Sequence, residues 1–262
     1  FNQETLGLNP KPDQENGTVD IEYVVEEKPS DQIELSGGWG AGRVVGTLGV
    51  SFNNFSFRNV LKGESWKPLP SGDGQKLSLR AQSNGIYYQS YSASFLEPWL
   101  GGKKPNSLSL SFYHSVQSNG VNKSDSGREA ILINGVSLGF GKRIQWPDDY
   151  FTLYQSLNFQ NYHLQNYLST FMFNNGFSNN FNYNIVFGRN SVDAPIYPRS
   201  GSDISLSLQL TPPYSLLNKR DYSTLDNQDK FKWIEYHKWK FSAAWYTRIF
   251  ENLVFYTKAR FG

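Results

Sequence analysis

Cysteine is absent from the 262 residues, which removes disulfide frameworks, thiol nucleophiles and cysteine-ligated zinc together. Histidine occurs three times, at His114, His163 and His237, far apart in sequence and with no carboxylate at ligand spacing. No metal, cofactor or catalytic residue is therefore expected. The net charge of +2 comes without the concentrated basic patch of nucleic-acid binders, so no nucleic-acid partner is expected either. No apolar run approaches the ~18 residues of a membrane helix. The chain opens at Phe1 with no cationic-then-apolar leader. A signal peptide is expected to have been removed or to lie outside this stretch.

What is abundant is aromatic and glycine: 16% Phe, Trp and Tyr, with 23 glycines, against only 18% charged residues. A mean hydropathy of −0.54 would suit a soluble protein. A membrane β-barrel gives the same value, because every second residue faces a wet lumen. Period-two alternation runs through most of the chain. Leu48, Val50 and Phe52 oppose Thr47, Gly49 and Ser51. Leu77, Leu79 and Ala81 oppose Ser78, Arg80 and Gln82, and Tyr91, Ala93 and Phe95 oppose Ser92 and Ser94. The clearest case sets Leu108, Leu110, Phe112, His114 and Val116 against Ser109, Ser111, Tyr113 and Ser115. Val136–Phe140, Phe151–Phe159, Phe181–Phe187, Ile204–Leu210, Trp239–Trp245 and Leu253–Phe261 repeat the pattern. Loops are expected at about 60–74, 117–129, 166–180 and 212–230.

About eleven antiparallel strands result, many near the 9–11 residues of a tilted bilayer span. A soluble sandwich or barrel would need more Lys, Glu and Asp on its polar face and shorter strands. Here that face is mostly Ser, Asn, Gly, Thr and Gln. The expected fold is all-β, an antiparallel transmembrane β-barrel. Because single-chain bacterial barrels have even strand numbers, an odd count points to the N-terminal part of a larger barrel. Before it, Thr18 to Lys28 alternates and ends in a charge cluster, as a solvated strand of a small soluble module would. A handover is expected near Pro29, dividing the chain into 1–30 and 31–262. The first barrel strand, Gln32 to Gly42, is short and glycine-laden, hence weak.

Several junctions, in their order, resemble the family of BamA-type outer-membrane assembly proteins. In that family soluble POTRA modules, small α/β units, precede a sixteen-strand barrel. Thr18–Lys28 resembles the closing strand of the last module, and Leu35–Gly42 the Gly-rich first barrel strand. Asn53-Asn54-Phe55 with Asn59–Gly63 resembles the first periplasmic turn, and Glu97-Pro98-Trp99 the next. The most specific match is Tyr197-Pro198-Arg199-Ser200-Gly201-Ser202, which resembles the aromatic-Pro-x-x-Gly-x turn of the family. The resemblance implies eleven of sixteen strands, a bacterial outer-membrane location and an N-terminal segment in the periplasm. It implies as partners unfolded outer-membrane protein clients, accessory lipoproteins and outer-membrane lipid. The implied mechanism is templating: a client strand pairs with the backbone of Ile33, Glu34, Leu35, Ser36, Gly37, Gly38 and Trp39 at a weak seam.

Two other readings share these residues. The first strand simply closes a barrel, in which case the protein is a passive pore or secretion barrel. The charged lumen candidates Arg80, Lys240, Lys258 and Arg260 are expected to serve a solvated interior, not a selectivity filter. Last, His114 with Ser115, Ser118, Asn119 and Gly120 resembles the Ser/His region of outer-membrane phospholipase A. A nucleophile and its base must come within ~3 Å. In a strand, however, His114 and Ser115 face opposite sides, and Ser118 lies ~13 Å further along. An enzyme is not expected.

Overall fold

Alternating sequences form strands because side chains project to opposite faces, so a period of two sorts polar from apolar. The computed structural model describes residues 7–13, 17–26, 31–40, 43–66, 69–167, 172–218, 221–251 and 253–262. Its strands are β1 (Gly7–Asp13), β2 (Thr18–Val24), β3 (Gln32–Gly40), β4 (Arg43–Phe55), β5 (Gln75–Asn84), β6 (Tyr88–Glu97) and β7 (Ser107–Ser118). They continue with β8 (Ala130–Ile144), β9 (Phe151–Gln165), β10 (Gly176–Asn190), β11 (Gly201–Leu210), β12 (His237–Phe250) and β13 (Leu253–Phe261). β3 to β13 form one eleven-stranded sheet in sequence order, each strand antiparallel to its neighbours. The expected strand count is met. The handover at Pro29, the Ala41-Gly42 end of the first barrel strand and Pro68 lie outside the described residues.

β1 and β2 make a separate hairpin, with Pro10 opposite Ile21 and Pro12 opposite Val19. The alternation of 18–24 is legible in the sequence, but its partner is not, since two prolines argue against a strand. They are tolerated because β1 is an edge strand, where an N–H can be spared.

The register sorts the sheet cleanly. One row runs Gln32, Ser51, Ser78, Ser94, Ser111, Ser137, Asn158, Asn182. The row beside it on the other face runs Ile33, Val50, Leu79, Ala93, Phe112, Val136, Phe159, Phe181. Exposure is inverted relative to a soluble protein. On the apolar face Phe112, Leu138 and Leu206 remain 48%, 46% and 41% exposed, while on the polar face Ser178, Asn182 and Ser156 are 0%, 1% and 4% exposed. Water would penalise so continuous an apolar surface, whereas hydrocarbon accommodates it.

Burying polar groups requires that they bond one another. Ser137 donates to Asn158 Oδ1, whose own Nδ2 donates to Asn182 Oδ1 at 3.0 Å. Tyr113 hydroxyl accepts from Gln160 Nε2 at 2.6 Å. Small residues make room for this layer. A Cβ on Gly135 would stand 2.1 Å from the Tyr113 ring, and one on Gly139 would stand 2.1 Å from the Tyr154 hydroxyl.

β8, β9 and β10 are 15 residues each and outreach β11. The expected loop at 166–180 is shorter than supposed, because β10 already begins at Gly176. The Asn-rich start alternates too, and its amides are satisfied across strands: Asn161 Nδ2 donates to Asn179 Oδ1 at 2.8 Å. Beyond β11 the free edge of β10 is covered by the β11–β12 loop. Asn179 N donates to Lys232 O and Ile234 N to Asn179 O, at 2.8 and 2.9 Å. This loop also carries two four-residue helices, α1 (Tyr214–Leu217) and α2 (Asn227–Lys230). Near the same end, Ile131 and Leu164 pack with Phe173, flanked by Ile133, Tyr162 and Tyr167, as a small apolar plug.

Replacing Gly135 by Val will displace Tyr113 from Gln160, an overpacking cost of roughly 1–3 kcal/mol. The urea midpoint of the folded protein in detergent should fall. The matched Gly38→Val, whose Cβ meets nothing within 4 Å, should not lower that midpoint.

Candidate functional site

Among the described residues β3 pairs with β4 alone. Its nine residues pair without a bulge to β4, from Gln32 opposite Ser51 to Gly40 opposite Arg43, and the sheet order leaves β3 at one edge and β13 at the other. Ile33, Leu35 and Trp39 share the apolar face and are 78%, 81% and 75% exposed. Glu34, Ser36 and Gly38 take the polar face. Glu34 accepts from Arg80 at 3.2 Å, and both side chains are half exposed, so the pair adds little stability.

Gly37 and Gly38 are not imposed by crowding. A Cβ at Gly37 would meet only Val45 O at 3.8 Å, and one at Gly38 would meet nothing within 4 Å. Nor does either have positive φ. Their effect is to leave a notch between Leu35 and Trp39 and to withhold cross-strand packing, the unit of sheet stabilisation. The seven residues expected at the pairing edge therefore lie contiguously on this strand.

The second group of expected residues lies at the strand ends that carry the β4–β5, β6–β7, β8–β9 and β10–β11 turns. Glu97 accepts from Gln75 Nε2 at 2.7 Å and from Trp99 N at 2.9 Å. Gln75 in turn accepts from Phe57 N at 2.7 Å, and Ser56, fully buried, donates to Asp73 at 2.6 Å. Glu97 thus ties its own turn to the preceding one. Pro98 follows it, and Trp99 is exposed beside it.

In the β10–β11 turn Tyr197 has φ of 55° and Gly201 of 103°, with Pro198 between them. A Cβ on Gly201 would stand 2.2 Å from Ser191 O, so only glycine fits. Asp193 Oδ1 accepts from Arg199 N and Ser200 N at 2.9 and 3.2 Å. These two N–H groups hold its carboxyl below the usual carboxylate range.

Sequence reasoning missed the brace behind this turn. Arg189 donates through Nε and Nη2 to Asp148 Oδ2 at 3.0 and 2.8 Å, and through Nη1 to Ser191 and Ser202 at 2.9 and 2.8 Å. Its guanidinium also lies over the Tyr150 and Phe151 rings, 5.5 and 5.8 Å from their centroids. Partial desolvation pushes the Asp148 carboxyl up, but the Tyr150 N–H and Arg189 outweigh it, leaving the group below its usual range. The only sequence signal was a strand-terminal Arg in one hairpin and an Asp-Asp turn in the preceding one.

The third constellation separates. His114 Nδ1 lies 2.7 Å from Asn134 Oδ1, and its ring stacks on Tyr91. Ser118 donates to Ile86 O at 2.6 Å and accepts from Gly120 N at 3.3 Å. Among the described residues, no group of three or more His, Asp or Glu converges as metal ligands.

The description of the Omp85 superfamily domain matches residues 71–262. The chain belongs to the Omp85 superfamily. Among solved structures it is similar to the crystal structure of BamA from Haemophilus ducreyi lacking POTRA domains 1–3. The TM-score is 0.55 and the identity 17%, over 97% of this chain. The match takes in 45% of that longer chain, so the present one spans less than half its length. Such a likeness shows the fold, a BamA-type barrel wall. No curated protein matches the chain. Omp85 proteins are outer-membrane β-barrels, and this chain is an outer-membrane β-barrel protein of that superfamily. Its polar face is accordingly the lumen, and its apolar face meets lipid.

Gly201→Ala should cost roughly 1–3 kcal/mol through backbone strain alone. It should appear as a lowered thermal midpoint in detergent, with the strand content of the remaining fold retained. Asp193 provides a pH test. A depressed carboxyl stabilises the fold above its ordinary value of 3.8, and that contribution is lost as pH falls through the lower folded value. The thermal midpoint should therefore drop below about pH 4. In Asp193→Asn that drop should be shallower.

Proposed function

We propose that the protein inserts and folds β-barrel proteins in the outer membrane by offering β3 as a template to client strands. The observation that supports this reading is β3 itself: a nine-residue first strand that carries two glycines no crowding requires. A client strand entering lipid must pair its N–H and C=O groups, since unpaired groups cost several kcal/mol each in hydrocarbon. Backbone pairing along Ile33, Glu34, Leu35, Ser36, Gly37, Gly38 and Trp39 would satisfy them by β-augmentation. The side chains of this strip would contribute apolar cover and little specificity. No nucleotide or metal is needed if the client folds downhill.

On this reading residues 1–30 are the end of a periplasmic POTRA module, with β1 and β2 as its final hairpin. Residues 31–262 are then the first eleven of sixteen strands. The turns at Glu97-Pro98-Trp99 and Tyr197–Gly201 face the periplasm, and accessory lipoproteins dock on that side. The organism is a Gram-negative bacterium. A second reading is a passive pore or secretion barrel, whose solvated interior the lumen cations Lys238, Lys240, Lys258 and Arg260 would line. These share the polar face of β12 and β13 through the pairing of Ser242 with Arg260 and of Ala244 with Lys258.

The two readings differ at the seam. The chain has no native cysteine, so single cysteines at Leu35, Ser36 and Gly37 in the full-length protein report cleanly. Partners are placed on the last barrel strand in one set and on a stalled barrel client in the other. Client crosslinks with partial closure are expected. Complete closure without a client adduct would leave a pore.

A further inference from the structure

The β6–β7 and β8–β9 turns enclose a groove of about 900 Å³ between Trp99 and Trp146. Four cations line it, Lys103, Lys104, Lys142 and Arg143, against one carboxylate, Asp149. Arg143 Nε is committed to Asp149 O at 2.6 Å, which closes the β8–β9 turn on itself. Among the described residues, none of the three lysines has an ion pair. The β6–β7 side is shaped by left-handed Gly101 and Gly102 and by hydrogen bonds from Gly102 N to Trp99 O and Asn106 N to Lys104 O, both 2.7 Å.

Lys142 decides what this groove is for. It lies opposite Leu153 and two residues after Phe140, on the lipid-facing side of β8. A cation there is costly within hydrocarbon and settles where its stem can lie along apolar surface while the ammonium meets polar headgroups. The groove floor offers that surface in Ile144 and Leu153, and the two Trp rings flank it as aromatic residues do at a membrane interface. An apolar floor open to the acyl region, with unpaired ammonium groups at the rim, matches the chemistry of one ligand.

We infer that this groove binds the headgroup of an anionic phospholipid from the leaflet at the turn side of the barrel. Its phosphate would sit among Lys103, Lys104 and Lys142 and its acyl chains along Ile144 and Leu153. Such a lipid would pin the turn rim at a fixed depth in the bilayer. The inference rests on the membrane-barrel reading of the chain and is independent of the templating role of β3.

The test uses the full-length protein in neutral detergent, titrated with short-chain phosphatidylglycerol and followed by native mass spectrometry. Parallel titrations use phosphatidylcholine of the same chain length and inorganic phosphate. Lys→Gln at 103, 104 and 142 together should weaken phosphatidylglycerol binding about tenfold or more. Lys→Arg at the same positions should retain it, and Lys→Gln at 62, 123 and 230 should leave it unchanged. Equal binding by wild type and the 103/104/142 Gln variant would overturn the proposal. So would displacement of the lipid by phosphate at equal concentration, which would make this a free-phosphate site. Should the Gln variant fail to fold, loss of the lipid adduct in Trp99→Leu and Lys142→Gln, each tested singly, supports the site, and its full retention in both overturns it. A wild-type protein that urea strips from vesicles would sink the barrel reading, and the lipid site with it.

Discussion

Hydrocarbon offers a peptide group no hydrogen-bond partner, and that constraint organises the whole chain. Every strand from β4 to β12 is paired on both edges within one antiparallel sheet. Even the overhang of β10 above β11 is not left bare, because Asn179 pairs with Lys232 and Ile234. In a membrane a strand left with an unpaired edge would be energetically distinctive in a way it would not be in water.

The same constraint explains an inside-out distribution of residues. With the apolar face turned to lipid, the interior of the wall must be built from small polar groups, and these hold together only as connected ladders. Ser137, Asn158 and Asn182 form one such ladder, and Tyr113 with Gln160 begins another. Glycine serves two opposite purposes here. Gly135 and Gly139 are required, because Tyr113 and Tyr154 occupy the space a side chain would need. Gly37 and Gly38 are required by nothing around them, and they add no side-chain packing to β3.

The turn rim is cross-braced by side-chain hydrogen bonds. Glu97 couples two consecutive turns through Gln75, and Arg189 couples two more through Asp148 and Ser202. The cationic groove between Trp99 and Trp146 lies on this braced rim.

Strand identity, strand count and the division into lipid and lumen faces were legible in the sequence, because a period of two is a local property. The glycines of β3 and the Tyr197–Gly201 turn were legible for the same reason, being contiguous. The start of β10 at Gly176 was hidden, since its Asn-rich stretch reads as a loop until Asn161 stands opposite Asn179. β1 was hidden by Pro10 and Pro12, which only an edge position permits. Arg189 and Asp148 lie 41 residues apart, and Lys104 and Lys142 belong to different hairpins. No local pattern brings such pairs together. Local alternation was enough to place most strands and to assign the face of each residue in them. Only the tertiary register decided which distant side chains meet at the strand ends, because that depends on how far each hairpin extends before it turns.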